Sequence, residues 1–272
     1  MPASPADAPA RPPVVILCGG RGTRLQEHTR AIPKPLVEIG GLPILWHVIH
    51  IYAAHGFRRF LLATGYRGEL IERFAAEHAW PQHVSVNCVD TGLDTPTGGR
   101  IKLLEPHLAG EQLFCATYAD GLADIDLHAL LRFHHAHRAL ASVTVVRPRL
   151  QFGVVELDQH DRVAGFREKP VSQHWINGGF FCLHARVLER LRADSVLERE
   201  PLQALAAAGQ LRAYRHEGFW ACMDTYKDAV ALEDLWQAGD ARWLREGAHT
   251  GEPCTRADAH ARGTRLSAQP VS

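Results

Sequence analysis

The chemistry of this chain concentrates in Gly19-Gly20-Arg21-Gly22-Thr23-Arg24 and, shortly after it, Pro33-Lys34-Pro35. Glycines let backbone N–H groups approach an anion closely, and Arg24 and Lys34 bring positive charge to its oxygens, so the pattern points to phosphate. The spacing is neither GxGxxG nor GxxxxGKS, which excludes a Rossmann dinucleotide site and a P-loop. A glycine turn with two solvated cations is the plainer alternative, but strand, glycines, arginine and Pro-flanked lysine together favour phosphate binding. Lysine is scarce: Lys34, Lys102, Lys169 and Lys227 are the only lysines among 30 basic residues. A retained lysine suits a place where a compact, flexible ammonium works better than a planar fork.

Two acids stand where a ligand would need them. Asp120 follows an apolar run ending at Tyr118, and Asp224 lies between Phe219-Trp220 and the last helical pattern. Magnesium commonly takes one or two carboxylates and fills its other positions with water and substrate phosphate, so two acids suffice. Their ordinary roles are a turn residue for Asp120 and a helix N-cap for Asp224. Of the 17 histidines, the cluster His134-His135-Ala136-His137 and the pair His47 and His50 read as a solvated or core-edge face, without an HExxH motif. The six cysteines are far apart with no CxxC and read as reduced, mostly buried thiols. Trp175, Phe219 and Trp220 read first as packing residues, with Trp220, beside Asp224, also a candidate wall for a sugar.

These side chains need a frame. At 272 residues the chain suits one α/β body with a small elaboration. Thirty basic against 30 acidic residues give no field to steer nucleic acid or acidic lipid, so small molecules are the expected partners. The apolar stretches are strand-sized and residues 1–13 lack a signal-peptide core, so a cytoplasmic protein with no membrane span is expected. Residues 1–13 read as a disordered tail. Val14 to Cys18 is a strand buried on both faces; a helix starts at Pro43; Phe60 to Thr64, Val84 to Val89, Leu113 to Tyr118 and Ala141 to Val146 are strands; Gly68 to His78 and Leu127 to His137 are helices. That alternation predicts a mostly parallel sheet with helices on both faces and ligands at the strands' carboxyl ends. From Phe152 the texture turns antiparallel, with strands Phe152 to Leu157, Arg162 to Phe166 and Trp175 to Leu183. Helices follow at Ala185 to Leu191 and Pro201 to Ala208, a strand at Leu211 to His216 and a last helix from Thr225 to Trp236. Residues 14–236 thus read as one domain whose texture changes at about residue 150. Residues 237–272 form an extension whose part after about Trp243 lacks periodicity and is expected to be mobile.

The glycine-rich segment followed by PKP resembles the signature GGxGTRL…PKP of the sugar-nucleotide pyrophosphorylases, or nucleotidyltransferases. VEIGGLPILWH (37–47), VDTG (89–92), TPTGGRIK (95–102), TYADG (117–121), FREKP (166–170), WINGGFF (175–181), EREPL (198–202) and HEGFWACMDT (216–225) narrow the likeness to the glucose-1-phosphate cytidylyltransferases. The resemblance runs in order from Val14 to about Trp236. It implies a Rossmann-like three-layer nucleotidyltransferase fold with a mostly parallel central sheet, a nucleotide-binding half over 14–150 and a smaller, more antiparallel sugar-phosphate-binding half over 151–236. It also implies transfer of a cytidylyl group from CTP to α-D-glucose 1-phosphate, giving CDP-glucose and pyrophosphate with Mg²⁺. Such a reaction is an in-line attack at the α-phosphorus and needs no general base, because a phosphate monoester is already mostly dianionic at neutral pH.

By that resemblance Arg24, Lys34 and Asp120 are catalytic, and Asp120 with Asp224 holds the metal. Leu17, Gly19, Gly20, Gly22, Thr23, Arg24, Lys34 and Ala119 meet the nucleotide, with Thr95, Thr97, Gly98, Gly99 and Arg100 around its base. Arginine and backbone N–H donors near O2 and N3 would suit a cytosine edge; the ordinary reading of this loop is a helix start capped by Thr97. Gly153, Glu168, Lys169, Asn177, Gly178 and Trp220 meet the sugar phosphate, although a surface Lys169–Glu168 ion pair is the ordinary reading of that motif. Ala119 stands where the family has glycine, Pro96 where it has methionine, and the segment from Phe74 to Val89 is shorter than usual by roughly twenty residues. These departures keep open the same chemistry with dTTP, UTP or another sugar 1-phosphate, a non-catalytic nucleotide-sugar-binding regulatory subunit, and whether the chain forms a homo-oligomer.

Overall fold

Strand β1 (Val14–Leu17) alternates its side chains between two cores, Val14 and Ile16 on one face and Val15 on the other, as a strand covered on both sides must. The structure, a computed structural model, describes residues 11–22 and 32–244. A short 3₁₀ turn, Lys34–Leu36, leads into a two-stranded hairpin, β2 (Glu38–Ile39) and β3 (Leu42–Pro43). Helix α1 (Ile44–Ala54) starts one residue after Pro43 and is apolar on most of its circumference, so it lies buried. There follow β4 (Arg59–Thr64), α2 (Gly68–Glu77), β5 (Ser85–Asp90), α3 (Thr97–Leu103), β6 (Leu113–Tyr118), β7 (Gly121–Ala123), α4 (Leu127–His137) and β8 (Ala141–Val146). Beyond them lie β9 (Val154–Leu157), β10 (Val163–Arg167), β11 (Ile176–His184), α5 (Glu200–Ala207), β12 (Leu211–Arg215), β13 (Trp220–Cys222) and α6 (Tyr226–Gln237).

Seven strands form the central sheet in the order β12-β8-β11-β6-β1-β4-β5. All neighbours are parallel except β11, which runs antiparallel to both β6 and β8. Side chains of α1, α2, α4 and α6 join one core and those of α3 and α5 the other, so helices cover both faces. The chain leaves β1 for β4 and β5 on one side and returns through β6 on the other. This reversal opens a crevice at the carboxyl ends of β1 and β6, where Leu17 and Tyr118 are register partners.

Several expectations need correction. Order reaches back to Arg11: Pro13 is buried and its carbonyl accepts from Cys115 N–H, while the Arg11 guanidinium bonds His128. Residues 1–10 of the expected disordered tail lie outside the described residues. The strand expected at Trp175 to Leu183 belongs to the central sheet rather than to the antiparallel texture before it, where β9 and β10 pair as a hairpin outside the sheet. Ala185–Arg190 is a 3₁₀ helix instead of an α-helix. At the far end a 3₁₀ turn, Arg242–Leu244, buries Trp243, whose indole N–H donates to His47 Nδ1 at 3.1 Å. The chain is therefore anchored through Leu244; residues 245–272, including Cys254, lie outside the described residues.

His47 is fully buried and donates from Nε2 to the Ile39 carbonyl at 2.9 Å, so the neutral tautomer uses both ring nitrogens. Burial pushes it down to about 4 from the ordinary 6.5. His134, buried and bonded to Ser142 Oγ, is pushed the same way to about 4 by burial and His135. A group that protonates less readily folded than unfolded loses stability as pH falls. The contribution of His47 is complete above pH 6.5 and declines by up to ~3 kcal/mol on the way to pH 4. Thermal midpoints measured across that range are expected to drop with acid, and less steeply in His47→Gln. An equal slope in the variant would remove His47 from the cause.

Candidate active site

The crevice is lined by Leu17, Cys18, Gly19, Gly20, Gly22, Lys34, Pro35, Thr95, Pro96, Thr97, Arg100, Tyr118, Ala119 and Asp120, and encloses about 300 Å³, the scale of a small-molecule site. Most of the nucleotide contacts expected from the sequence are thus neighbours here. Thr23 and Arg24 lie outside the described residues. Gly22 has φ +59°, left-handed backbone that favours glycine where the loop turns.

Asp120 ends the turn after β6, and β7 begins at once. β7 pairs antiparallel with β13, Gly121 opposite Cys222, and Met223 N–H donates to the Asp120 carbonyl at 2.9 Å. This two-stranded ribbon carries Asp224 to Asp120. Asp224 is free of the capping duty its position suggested, because Thr225 caps α6 in a reciprocal capping box with Asp228. Lys34 Nζ lies between the acids, 2.6 Å from Asp120 Oδ2 and 2.8 Å from Asp224 Oδ1. Burial alone would pull Lys34 down, but the two carboxylates, Asp120 foremost, hold its ammonium above the ordinary value. Two carboxylate oxygens converging on one cation are a donor set that fits a hard divalent ion. Cys222 joins them: its Sγ and one oxygen of each acid lie within 4.8 Å of one another. Burial and Asp120 push that thiol up to about 12. Sequence reading missed Cys222 here; the signal was its i, i+2 spacing from Asp224 just past a strand end, a spacing that sets two side chains on one side when the chain stays extended.

The loop expected to choose a base is organised differently from the expectation. Arg100 is 4% exposed, and its terminal nitrogens donate to protein acceptors. Nη1 reaches the carbonyls of Thr64 and Gly92 at 2.8 Å each and Thr91 Oγ1 at 2.6 Å; Nη2 reaches the Gly19 carbonyl at 3.0 Å and the Leu93 carbonyl at 3.3 Å. The side chain expected at a cytosine edge instead ties the glycine loop to the 91–95 loop. Arg21 repeats the tie at the surface, 2.9 Å from Asp94. Gly98 and Gly99 do not line the crevice: a Cβ on Gly98 would meet the Ser195 carbonyl at 2.8 Å, and one on Gly99 the Ala193 carbonyl at 2.0 Å. These glycines let α3 close on the 193–197 segment. Thr97 does not cap α3; its hydroxyl donates to Glu198 Oε2 at 2.6 Å and accepts from Leu197 N–H at 2.9 Å.

Among the residues expected at the sugar phosphate, Trp220 Nε1 donates to the Gly178 carbonyl at 2.9 Å and Asn177 Nδ2 to the Tyr118 hydroxyl at 3.1 Å. Tyr118 in turn donates to Glu198, held above its ordinary pKa by burial and that carboxylate. Thr97, Glu198, Tyr118 and Asn177 therefore form one chain of hydrogen bonds along the crevice. Tyr118 and Glu198 were not picked out from sequence, because only the fold brings their segments together. Gly153, Glu168 and Lys169 form a second group beside the β9–β10 hairpin. A Cβ on Gly153 would meet Glu168 Oε2 at 3.1 Å, and Lys169 pairs with Glu168 at 3.5 Å with both side chains exposed.

Residues 13–240 match the family described as Nucleotidyl transferase. The chain is 41% identical over 251 residues to the glucose-1-phosphate cytidylyltransferase of Salmonella typhi, covering 84% of this chain and 97% of that protein. It is 39% identical over 250 residues to a probable glucose-1-phosphate cytidylyltransferase of Bacillus subtilis, covering 84% and 98%. Among solved structures, HddC from Yersinia pseudotuberculosis superposes with a TM-score of 0.66 at 22% identity, over 83% of this chain and all of that one.

Proposed function

Because the chain belongs to the nucleotidyl transferase family, we propose that it joins CTP and α-D-glucose 1-phosphate to give CDP-glucose and pyrophosphate. The observation that carries this is the convergence of Asp120, Asp224 and Lys34 beside a glycine-lined crevice at the sheet's switch point. A sugar-phosphate oxygen forms the new bond to the α-phosphorus while the bond from that phosphorus to the β-bridging oxygen breaks, and pyrophosphate leaves with its electron pair. No side chain removes a proton, since the nucleophile is mostly dianionic at neutral pH.

Lys34 supplies positive charge to the triphosphate, and Arg24 is assigned the same task from its place in the motif. Asp120 and Asp224 would hold Mg²⁺, which when bound neutralises phosphate oxygens. The backbone of the glycine loop cradles phosphates, and the 95–97 segment faces the base. Asn177, Gly178 and Trp220 line the sugar's approach, with Glu168 and Lys169 beyond them. Among the described residues no helix is long and apolar enough to cross a membrane, and the proposed use of CTP supports a cytoplasmic location. Exposed Leu157, Val163 and Phe166 on the β9–β10 hairpin favour a homo-oligomer. Phosphorus NMR of protein, Mg²⁺, CTP and glucose 1-phosphate is expected to show CDP-glucose and pyrophosphate growing in equal amounts. Release of inorganic phosphate alone would contradict the transfer.

A further inference from the structure

Cys222 ends β13, and Asp224 follows two residues on with its carboxylate on the same side as the sulfur, while Met223 between them is fully buried in the core. Register sets Cys222 opposite Gly121, the residue after Asp120. The ribbon therefore fixes a sulfur beside the two carboxylates, all three ligand atoms within 4.8 Å of one another. A magnesium ion has no use for that sulfur, because it takes oxygen ligands and keeps several waters. Softer dications do, since thiolate is the preferred ligand of zinc and its relatives.

We propose that Cys222 is a third ligand that makes this site a trap for thiophilic divalent cations of the zinc and cadmium type. The inference rests on the reading of Asp120 and Asp224 as metal carboxylates. On binding, the thiol proton passes to solvent and the sulfur lone pair closes the metal–sulfur bond. The charges then balance: two carboxylates and one thiolate against one dication and the neighbouring Lys34 ammonium. Three protein ligands leave a fourth tetrahedral position for water or a phosphate oxygen. Tetrahedral zinc holds its ligand atoms about 3.3–3.8 Å apart, within reach of small side-chain rotations from the present spacing. Zinc should accordingly displace Mg²⁺ at far lower concentration than a purely carboxylate pair would allow.

The test is a Co²⁺ titration of the untagged full chain, wild type beside Cys222→Ser and the Asp120→Asn, Asp224→Asn double variant. Expected is one Co²⁺ per chain with a thiolate-to-cobalt charge-transfer band in the near ultraviolet. That band should vanish in Cys222→Ser, whose Co²⁺ affinity falls tenfold or more, and also in the double aspartate variant. Cobalt bound without the band would overturn the assignment of Cys222 and leave the carboxylate pair standing. A band that survives Cys222→Ser or the double variant would place the sulfur or its co-ligands elsewhere and overturn the proposal. No binding at all by wild type would overturn both the proposal and the carboxylate reading beneath it. X-ray absorption of the zinc-loaded wild type needs no variant to fold: one sulfur at about 2.3 Å among oxygen neighbours is expected, and an oxygen-only shell would contradict it.

Discussion

Replacing Asp120 by asparagine is expected to lower turnover by about a thousandfold or more while leaving the fold in place. The side chain keeps its size but loses the charge on an oxygen 2.6 Å from Lys34. Without that charge the site would hold a divalent ion through Asp224 alone, and the developing charge on the phosphates would lose its strongest counterweight. Loss of one electrostatic partner at a reacting centre costs about 10²–10³ in rate, and a direct metal ligand belongs at or beyond the upper end. Stability should change little, because Asp224 still pairs with Lys34 at 2.8 Å and Asp120's backbone bond to Met223 is untouched. The check is kcat with a thermal midpoint on the same preparation. Near-normal turnover would remove Asp120 from the metal site, and a collapsed midpoint would mean that its role is structural.

Arg100→Met is expected to destabilise the protein by about 3–5 kcal/mol, the cost of leaving three or more buried acceptors unpaired. For a chain this size that lowers the thermal midpoint by roughly 10 °C. Burial pulls the guanidinium below its ordinary pKa, and Asp90, Cys18 and Asp94 work against that pull. Removing it would release the Gly19 carbonyl on one side and those of Thr64 and Gly92 on the other, so the glycine loop and the 91–95 loop would lose their fixed separation. The KM for CTP should rise at least about tenfold, because a misplaced loop binds both substrate and transition state less well. Arg100→Lys should not rescue it, since one ammonium cannot reach both loops in a planar fork. A midpoint within 2 °C of wild type, by order of magnitude, would contradict the structural part of this account. An unchanged KM would contradict the positional part.

Arg100 also shows where sequence legibility ends. Its motif was visible, but its acceptors are mostly backbone carbonyls, which carry no residue identity, so an arginine among glycines looked like a group awaiting a ligand. Gly98 and Gly99 misled in the same way: they are small because the 193–197 segment presses on α3, a contact made far away in the chain. By contrast, the apolar runs of β1, β4, β6 and β8 were legible, because burial on both faces leaves almost no choice of residue. The insertion of β11 between β6 and β8 was not, since an apolar run does not state its partners. At the site, the glycine loop and Lys34 stood out by type and spacing, whereas Asp120 and Asp224, each an ordinary turn or cap residue when read alone, were paired only through the resemblance; the fold brings both to Lys34. The capping box Thr225 to Asp228 was readable too, and would have released Asp224 from its capping role. The Thr97–Glu198–Tyr118–Asn177 chain was beyond reach, because it joins four segments that only the folded sheet makes neighbours.

The most direct test of the central claim is pyrophosphate release by purified protein with Mg²⁺ and glucose 1-phosphate, against CTP, dTTP, UTP, ATP and GTP in parallel. The account predicts release with CTP and at most trace release with the others. Equal or faster release with another nucleotide would keep the in-line chemistry at Asp120, Asp224 and Lys34 and contradict the base assigned to the crevice. No release with any nucleotide, from protein shown to bind CTP, would contradict the enzyme itself.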